Sequence, residues 1–427
     1  MSSPKVLVIG CGIAGPVVAL LLQKKGYEPL VFEKVRELGD AGASLMMFPN
    51  GLKVLSKVGM AHFITDSATR VTKFCDRDSH GTDLGVSDLP NIFVEEYGFP
   101  GCGVKRAGLN MKLKERLAAV GIPVFEGWKL KEVIEDENGV IAVSEDGREV
   151  RGSFLIGCDG LRAVSRSLVG REHRVREGMA EYTGLTQASH KFYLMRAYAD
   201  HRQTAGMSTT PPYLKEHPTM LNIYGPGAHF ICYPVSPNTT SWAITQEELE
   251  EAPETWKLSS GSELLQQRTQ LLDQFKAWCS PVPELIQGAE RIVKYGLYDR
   301  PQLEPEYWYS PTGRVVLIGD AAHPTSPHLG QGANQALEDC YHLDRLLPEF
   351  DKDEALSSEK LIEAFAAFAK LRQPRTAALV KGARAQGDSR VVKGINASME
   401  RDDRLRKSWQ DNEAITAKYD VLFREPF

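Results

Sequence analysis

The chain has 427 residues, 42% of them hydrophobic and 25% charged, which suits a soluble globular protein of two or three structural units with a sizeable core. Its formal net charge of -5 supplies no basic field of the kind a nucleic-acid binder uses, so no nucleic-acid partner is expected. The 7 cysteines are odd in number and scattered without paired spacing, which excludes a zinc or disulfide framework and reads as reduced thiols of a cytoplasmic protein; no apolar run reaches the length of a membrane span, so no stable membrane anchor is expected.

Lys5 to Ile9 is a nearly continuous apolar run, as expected of a parallel strand covered on both faces. Ile13 to Lys25 carries its apolar residues at helical spacing and stops at Gly26, and Pro29 to Glu33 supplies a second strand, completing a βαβ unit. Leu109 to Gly121 reads as a helix. Val140 to Val150 reads as an antiparallel pair turning at Asp146-Gly147, and Ser153 to Ile156 as a short buried strand. From Phe192 to Gln246 the pattern changes to short, aromatic-rich strands punctuated by Pro, Gly and Asn, which predicts a separate antiparallel sheet. Helical material around Glu263 to Trp278, a strand at Arg314 to Ile318, a helix from Ala333 to Leu347 and a mostly helical stretch from Ser357 to Ser398 follow.

Three segments in this order carry chemistry. In Gly10-Cys11-Gly12-Ile13-Ala14-Gly15 the first glycine allows a tight turn, the second lets a pyrophosphate approach, and the third lets helix and strand pack closely. The helix N-terminus offers free amides to phosphates. Glu33, followed by Lys34, ends the second strand, where a carboxylate can accept hydrogen bonds from ribose hydroxyls and would repel a 2′-phosphate. A glycine-rich structural turn with a surface glutamate is the alternative, and these residues alone leave FAD and NAD both open. The second segment, Asp159-Gly160, and the third, Gly319-Asp320, each follow a strand. Open α/β sheets bind ligands at such carboxyl ends, although each aspartate could instead cap a turn.

Taken together, these motifs resemble the single-component, class A flavoprotein monooxygenases, the p-hydroxybenzoate hydroxylase and salicylate hydroxylase family. The match rests on the glycine motif, Arg106 in Lys105-Arg106-Ala107-Gly108-Leu109, Asp159-Gly160, and Leu317 through Asp339. A softer signal is Gly225-Pro226-Gly227-Ala228-His229 followed by Tyr233-Pro234. The resemblance implies an α/β fold: a Rossmann-like FAD-binding domain, an antiparallel-sheet substrate domain of α+β type and a helical C-terminal region. On this reading 1-75, 101-175 and 285-347 form the discontinuous FAD-binding domain, 76-100 and 176-284 the substrate domain, and 348-427 the helical region.

By the same resemblance Asp320 binds the ribityl chain, Arg106 lies near the flavin and its phosphates, and Asp159 shapes a groove shared by pyrophosphate and NAD(P)H. The backbone of Gly330, Gln331, Gly332, Ala333 and Asn334 opens a helix, so its amides can stabilise negative charge near flavin N1 and the C2 carbonyl. The implied activity takes NAD(P)H as co-substrate and O2, and hydroxylates a small aromatic, phenolic compound through a flavin C4a-hydroperoxide. No metal is expected, since His323 and His328 share a proline-rich loop without a carboxylate at ligand spacing. Pro327 falls where the family sets a proline backbone beside substrate and flavin. Strand alternation pairs Arg196 with Tyr198, Asn222 with Tyr224, and His229 with Tyr233, all candidates for substrate contact; hydrogen-bonded aromatics in a sheet are the alternative. Arg196 is the candidate carboxylate anchor. Epoxidation or oxidative rearrangement by the same chemistry, a flavin-dependent reductase and a non-catalytic flavin-binding protein remain as other readings, whereas the 6 tryptophans lack the Trp-x-Trp spacing of flavin halogenases. A monomer or homodimer is compatible with the sequence.

Overall fold

The computed structural model describes the backbone of residues 3–37, 44–169, 173–176, 179–182, 196–247, 259–351, 353 and 356–427, and their side chains except at 167, 168, 173–176, 179–182, 196–201, 247, 295, 296 and 298. The chain divides into two compact units, each assembled from separated segments. The first comprises Met1–Gly39, Leu109–Arg196 and Tyr298–Gly382, and the second Asp40–Gly108, Ala197–Leu297 and Ala383–Phe427.

In the first unit the apolar runs become a five-stranded parallel sheet, in the order Val315–Leu317, Phe154–Gly157, Lys5–Ile9, Glu28–Glu33 and Val124–Glu126. Its central strands are apolar and buried at Val6–Ile9, Val31–Phe32 and Phe154–Ile156, where both faces are covered. The Ala14–Lys24 helix carries Val17, Val18, Leu20, Leu21 and Leu22 into that core. The register pairs Ile9 with Gly157 and with Phe32, and Gly157 with Leu317, so the three motifs emerge side by side at the carboxyl edge. The predicted hairpin at Asp146-Gly147 joins Gly139–Ser144 to Glu149–Gly152 in a second, antiparallel sheet.

The second unit is built on a seven-stranded sheet in the order Ala289–Asp299, Arg196–Thr209, Thr239–Glu247, Ala228–Ser236, Thr219–Gly225, Lys73–Asp78 and Asp83–Ser87. One face buries Leu221, Ile223, Phe230, Cys232, Trp242 and Ile244 against Leu271, Phe275, Val282, Leu285 and Ile286 of the helices Gly261–Phe275 and Val282–Gln287.

Several boundaries differ from the sequence-based division: residues 101–108 count with the second unit and 176–196 with the first. Residues 285–297 belong to the second unit because Ala289–Asp299 closes its sheet, and residues 40–75 belong there because Lys73–Asp78 pairs in parallel with Thr219–Gly225. Nor is 348–427 one region. The Ser358–Arg390 helix counts with the first unit as far as Gly382, and the helices Ile395–Ser408 and Asn412–Phe423 count with the second. Among the described residues no helix is long and apolar enough to cross a membrane.

Candidate active site

The three motif glycines divide into two that the fold needs and one that it does not. A Cβ at Gly10, whose φ is +113°, would lie 2.4 Å from the Cys158 carbonyl oxygen, and one at Gly15 would lie 1.9 Å from the carbonyl oxygen of Gly10. Both positions are closed by backbone. A Cβ at Gly12 would meet nothing within 4 Å. Gly12 is half-buried between the buried Cys11 and Ile13 and looks onto open space. The helix that begins at Ala14 has no side-chain cap and no acid in its first turn, so its leading amides are oriented for an anion. Glu33 is held beside this turn: Oε2 accepts from the Cys11 amide at 2.9 Å and Oε1 from the Val35 amide at 3.0 Å, while Lys34 is exposed. A turn shaped around an empty approach, with an uncapped helix and a fixed acid beside it, fits a dinucleotide.

Asp159 behaves locally as a cap. Its Oδ2 accepts from the amides of Val164 (2.7 Å) and Ser165 (3.1 Å), and Oδ1 from the Ser165 hydroxyl, fixing the start of the Val164–Val169 helix. Burial raises its pKa, and these hydrogen bonds oppose the rise. Gly160 turns the chain with φ +83°. The helix in turn carries Arg166, a buried guanidinium that donates to the carbonyls of Ala321 (3.2 Å), Ala322 (2.7 Å) and Pro301 (3.0 Å). The second motif is thereby tied to the third.

From Gly313 to His328 the chain is buried except at Asp320 and Pro327, which are exposed, and Thr325, which is half-buried. The two residues singled out in this loop are the two it presents. Gly330, at φ +63°, ends the short turn Pro327–Leu329, and the buried Asn334 amide donates to the Gly330 carbonyl at 2.9 Å from behind. The Gly332–Leu346 helix begins without a side-chain cap or an acid in its first turn, with Gln331 buried and Gly332 and Ala333 half-buried. The Asp320 carboxylate faces that start, its Oδ1 lying 3.9 Å from where a Gly332 Cβ would be.

This loop is clamped by an ionic cluster that the sequence did not reveal. Asp339 Oδ2 accepts from the Gly319 amide at 2.8 Å and from His323 Nε2 at 2.5 Å, and Asp339 Oδ1 accepts from Arg372 Nε at 2.7 Å. Arg372 also reaches Glu338 (2.7 Å) and the Gln335 side chain (2.7 Å), and Arg375 reaches Glu338 at 2.8 Å. Burial alone would raise the Asp339 pKa, but the charges and hydrogen bonds of His323 and Arg372 bring it down to about 2. An ionised carboxylate only accepts, so His323 carries its proton on Nε2.

In the second unit Arg106 is exposed at the start of the Arg106–Ala119 helix. The backbone of Arg196 and Tyr198 lies in the Arg196–Thr209 strand, and their side chains are outside the described residues. Tyr224 pairs with His229 and Asn222 with Ile231, so Asn222, Tyr224, His229, Ile231 and Tyr233 share the sheet face opposite the apolar core. On that face Tyr224 and His229 are fully enclosed, whereas Asn222, Ile231, Tyr233 and Ala243 are half-buried. Burial raises the Tyr224 and Tyr233 pKa values, so both phenols are neutral. The Tyr233 hydroxyl lies 2.6 Å from Ser44 Oγ, which donates to Ser241 Oγ at 2.6 Å. Asn222 donates its amide to Asp76 Oδ1 (2.9 Å), which turns Asn222 Oδ1 toward His229 Nε2 (3.0 Å) and Arg390 (3.4 Å). His229 therefore donates from Nε2. Trp409 Nε1 donates to Asp76 Oδ2 at 2.9 Å. Neither Asp76 nor Arg390 carried a sequence signal: one is an acid in a six-residue strand that also holds Asp78, the other the last residue of a long helix. Among the described residues no cluster of His, Cys, Asp or Glu could hold a metal ion.

The family described as "FAD binding domain" matches residues 3–278 and 309–382. The chain is 30% identical over 404 residues to the 3-amino-4-hydroxybenzoate 2-monooxygenase of Streptomyces cremeus, covering 94% of this chain and 91% of that protein. It is 29% identical to the salicylate hydroxylase of Pseudomonas putida, covering 86% and 82%. Its fold matches that of Klebsiella pneumoniae HpxO complexed with FAD and uric acid, with a TM-score of 0.79, 22% identity and coverage of 98% and 97%. The chain thus belongs to the FAD-binding family of class A flavoprotein monooxygenases, and it is an oxidoreductase whose cofactor is FAD.

Proposed function

We propose that the substrate of this monooxygenase is a small phenolic compound, hydroxylated on its ring at the expense of NAD(P)H and O2. The observation that carries the reading is the half-buried floor of Ile231 and Ala243 on the sheet face, bounded by the Tyr233, Ser44 and Ser241 hydroxyls on one side and by Asn222 on the other. An apolar floor with few convergent polar groups suits one aromatic ring. The named relatives from Streptomyces cremeus and Pseudomonas putida act on ring acids of this kind.

Bound FAD supplies acceptance of hydride from NAD(P)H and activation of O2. The chain's own residues hold and orient. Gly10, Gly12, Ile13, Ala14 and Gly15 would offer the turn and helix amides to the pyrophosphate, and Glu33 would accept from the adenosine ribose. By the family resemblance Asp320 would hold the ribityl chain and Arg106 would serve the flavin and its phosphates. The Gly330 to Asn334 amides would stabilise negative charge on the flavin, and the exposed Pro327 is the loop residue that the family resemblance sets beside flavin and substrate. Asp159 and Gly160 shape the groove for NAD(P)H by fixing the Val164–Val169 helix. Tyr233 contacts the substrate hydroxyl. His229, enclosed behind Asn222, acts as a positioning residue.

The test is a panel of phenols scored for NAD(P)H oxidation against hydrogen peroxide release, with 18O2 to trace the oxygen. Coupled turnover with one labelled oxygen in a ring hydroxyl is expected. Label in an epoxide or a rearranged skeleton, or NAD(P)H oxidation that consumes no O2, would replace the reading.

A further inference from the structure

Cross-strand partners run in one line across the large sheet of the second unit: Ala243, Ile231, Asn222, Asp76 and Gly85. Partners in such a line share a face, so the apolar floor of Ala243 and Ile231 passes directly into the carboxamide of Asn222 and then the carboxylate of Asp76. The line ends at a residue without a side chain. A Cβ at Gly85 would lie 1.9 Å from Trp409 Cδ1, so the indole occupies the place that the next side chain would take. Trp409 follows the Ile395–Ser408 helix, and its Nε1 donates to Asp76 Oδ2 at 2.9 Å.

Asp76 is buried, and each of its oxygens accepts from a neutral donor: Oδ1 from the Asn222 amide at 2.9 Å and Oδ2 from the indole. Burial pushes its pKa up, and these two bonds, with the charges of Arg390 and Lys418, oppose the rise. A carboxylate only accepts, so Asn222 turns its nitrogen toward Asp76 and its oxygen toward His229 Nε2 (3.0 Å) and Arg390 (3.4 Å), which both donate. A carboxamide nitrogen carries two hydrogens, and Asp76 takes one. The other has no partner among the described residues, and it belongs to a half-buried side chain beside the floor.

We infer that Asn222 gives this hydrogen to an oxygen of the bound substrate, and that Asp76 and Trp409 are positioning residues acting through it. Asp76 fixes which end of the carboxamide is the donor, and Trp409 occupies the second oxygen of Asp76 so that the first stays on Asn222. The assignment rests on the phenol-hydroxylase reading. It brings the end of the Ile395–Ser408 helix into substrate binding without any residue there touching substrate.

The test uses the FAD-loaded full chain with phenol, resorcinol, salicylate and 3-hydroxybenzoate. Kd is read from perturbation of the flavin absorbance, KM and kcat from NAD(P)H oxidation, and the FAD content of each variant is measured alongside. Asp76→Asn leaves one acceptor for two donors, so the Asn222 carboxamide is no longer held in one sense. Affinity for the best-bound compound should fall about 10-fold, the worth of one hydrogen bond, with the loss in Kd and KM rather than in kcat or FAD content. Trp409→Phe alone should weaken binding about 3-fold. Combined with Asp76→Asn it removes the competing donor, so the double variant should bind more tightly than Asp76→Asn alone, an outcome that a merely structural contact does not give. Asn222→Leu deletes the donor, and in that background Trp409→Phe should change affinity by less than about 2-fold. The assignment is overturned if the double variant binds no better than Asp76→Asn, if Trp409→Phe leaves wild-type affinity unchanged, or if it weakens binding equally with and without Asn222. Should Asp76→Asn fail to load FAD, the comparison of Trp409→Phe with and without Asn222→Leu decides. Absence of binding and coupled turnover for every compound in the wild type would sink the phenol reading and this assignment with it, a result distinct from wild-type turnover that the substitutions leave unchanged.

Discussion

Replacing Gly12 by alanine should separate flavin binding from folding, and replacing Gly15 should not. A Cβ at position 12 enters open space, so the apoprotein should keep its stability within the roughly 0.5 kcal/mol typical of a substitution that touches nothing. On the proposed site the same methyl would occupy the approach of the pyrophosphate. Loss of one amide-to-phosphate hydrogen bond costs about 1.5–3 kcal/mol, or ~10- to 100-fold in FAD affinity. At position 15 the methyl would lie 1.9 Å from a backbone oxygen, so helix and strand must part by more than an ångström. Overpacking of that kind costs about 1–3 kcal/mol where a side chain can give way, and here the obstacle is main chain. Urea unfolding of the two apoproteins, with FAD titrations followed by flavin fluorescence, measures both quantities. The reasoning fails if Gly12→Ala binds FAD as tightly as the wild type, or if apo Gly12→Ala loses as much stability as Gly15→Ala.

Two further outcomes follow from buried charges. Asp339→Asn should destabilise the first unit by about 3–5 kcal/mol at neutral pH, since it removes one partner from a fully buried set. Because the Asp339 pKa is held at about 2, below its unfolded value of about 3.9, its contribution is complete above the unfolded value and vanishes as pH falls through 2. Denaturation curves from pH 7 to pH 2 should therefore show wild type and variant converging in acid, and a constant gap would refute the assignment. Lys53→Met should release the segment after the Asn412–Phe423 helix, because Lys53 Nζ donates at 2.9 Å to the carbonyls of Phe423, Arg424 and Phe427. Hydrogen exchange in residues 412–427 should rise with little change in the first unit, and unaltered protection there would show that the helix is held by its aromatic contacts with Phe48 and Phe93 instead.

The parallel sheet and its three motifs were legible because each is local: an apolar run, a glycine turn and a helix succeed one another within thirty-odd residues. Asp159 was legible as a strand-end acid that either faces a ligand or caps a turn, and the same residue pattern serves both, so only the structure shows it accepting from the Val164 and Ser165 amides. The division of the chain was not legible. Lys73–Asp78 pairs locally with Asp83–Ser87, but no local feature assigns that pair to a sheet whose next strand begins at Thr219, and Ala289–Asp299 reads like any strand until it is seen closing that sheet. Alternation correctly put His229 with Tyr233 and Asn222 with Tyr224, yet alternation cannot tell an enclosed residue from one on an open floor. Arg372 and Arg390 stand in an amphipathic helix among other arginines and lysines, and only packing distinguishes them from the solvated ones.

The clamp on Asp339 bears on how this protein can be cut. Glu338 and Asp339 sit in the Gly332–Leu346 helix, but the arginines that neutralise them arrive more than thirty residues later, from a different helix. A fragment designed to end after the last recognisable flavin motif would leave two carboxylates sealed in the interior without their arginines. Such a fragment should be recovered unfolded or as aggregate, whereas one carried through Gly382 keeps its interior electrically closed. The smallest portable flavin-binding piece is thus defined by charge balance, some way beyond the point where its sequence signature stops.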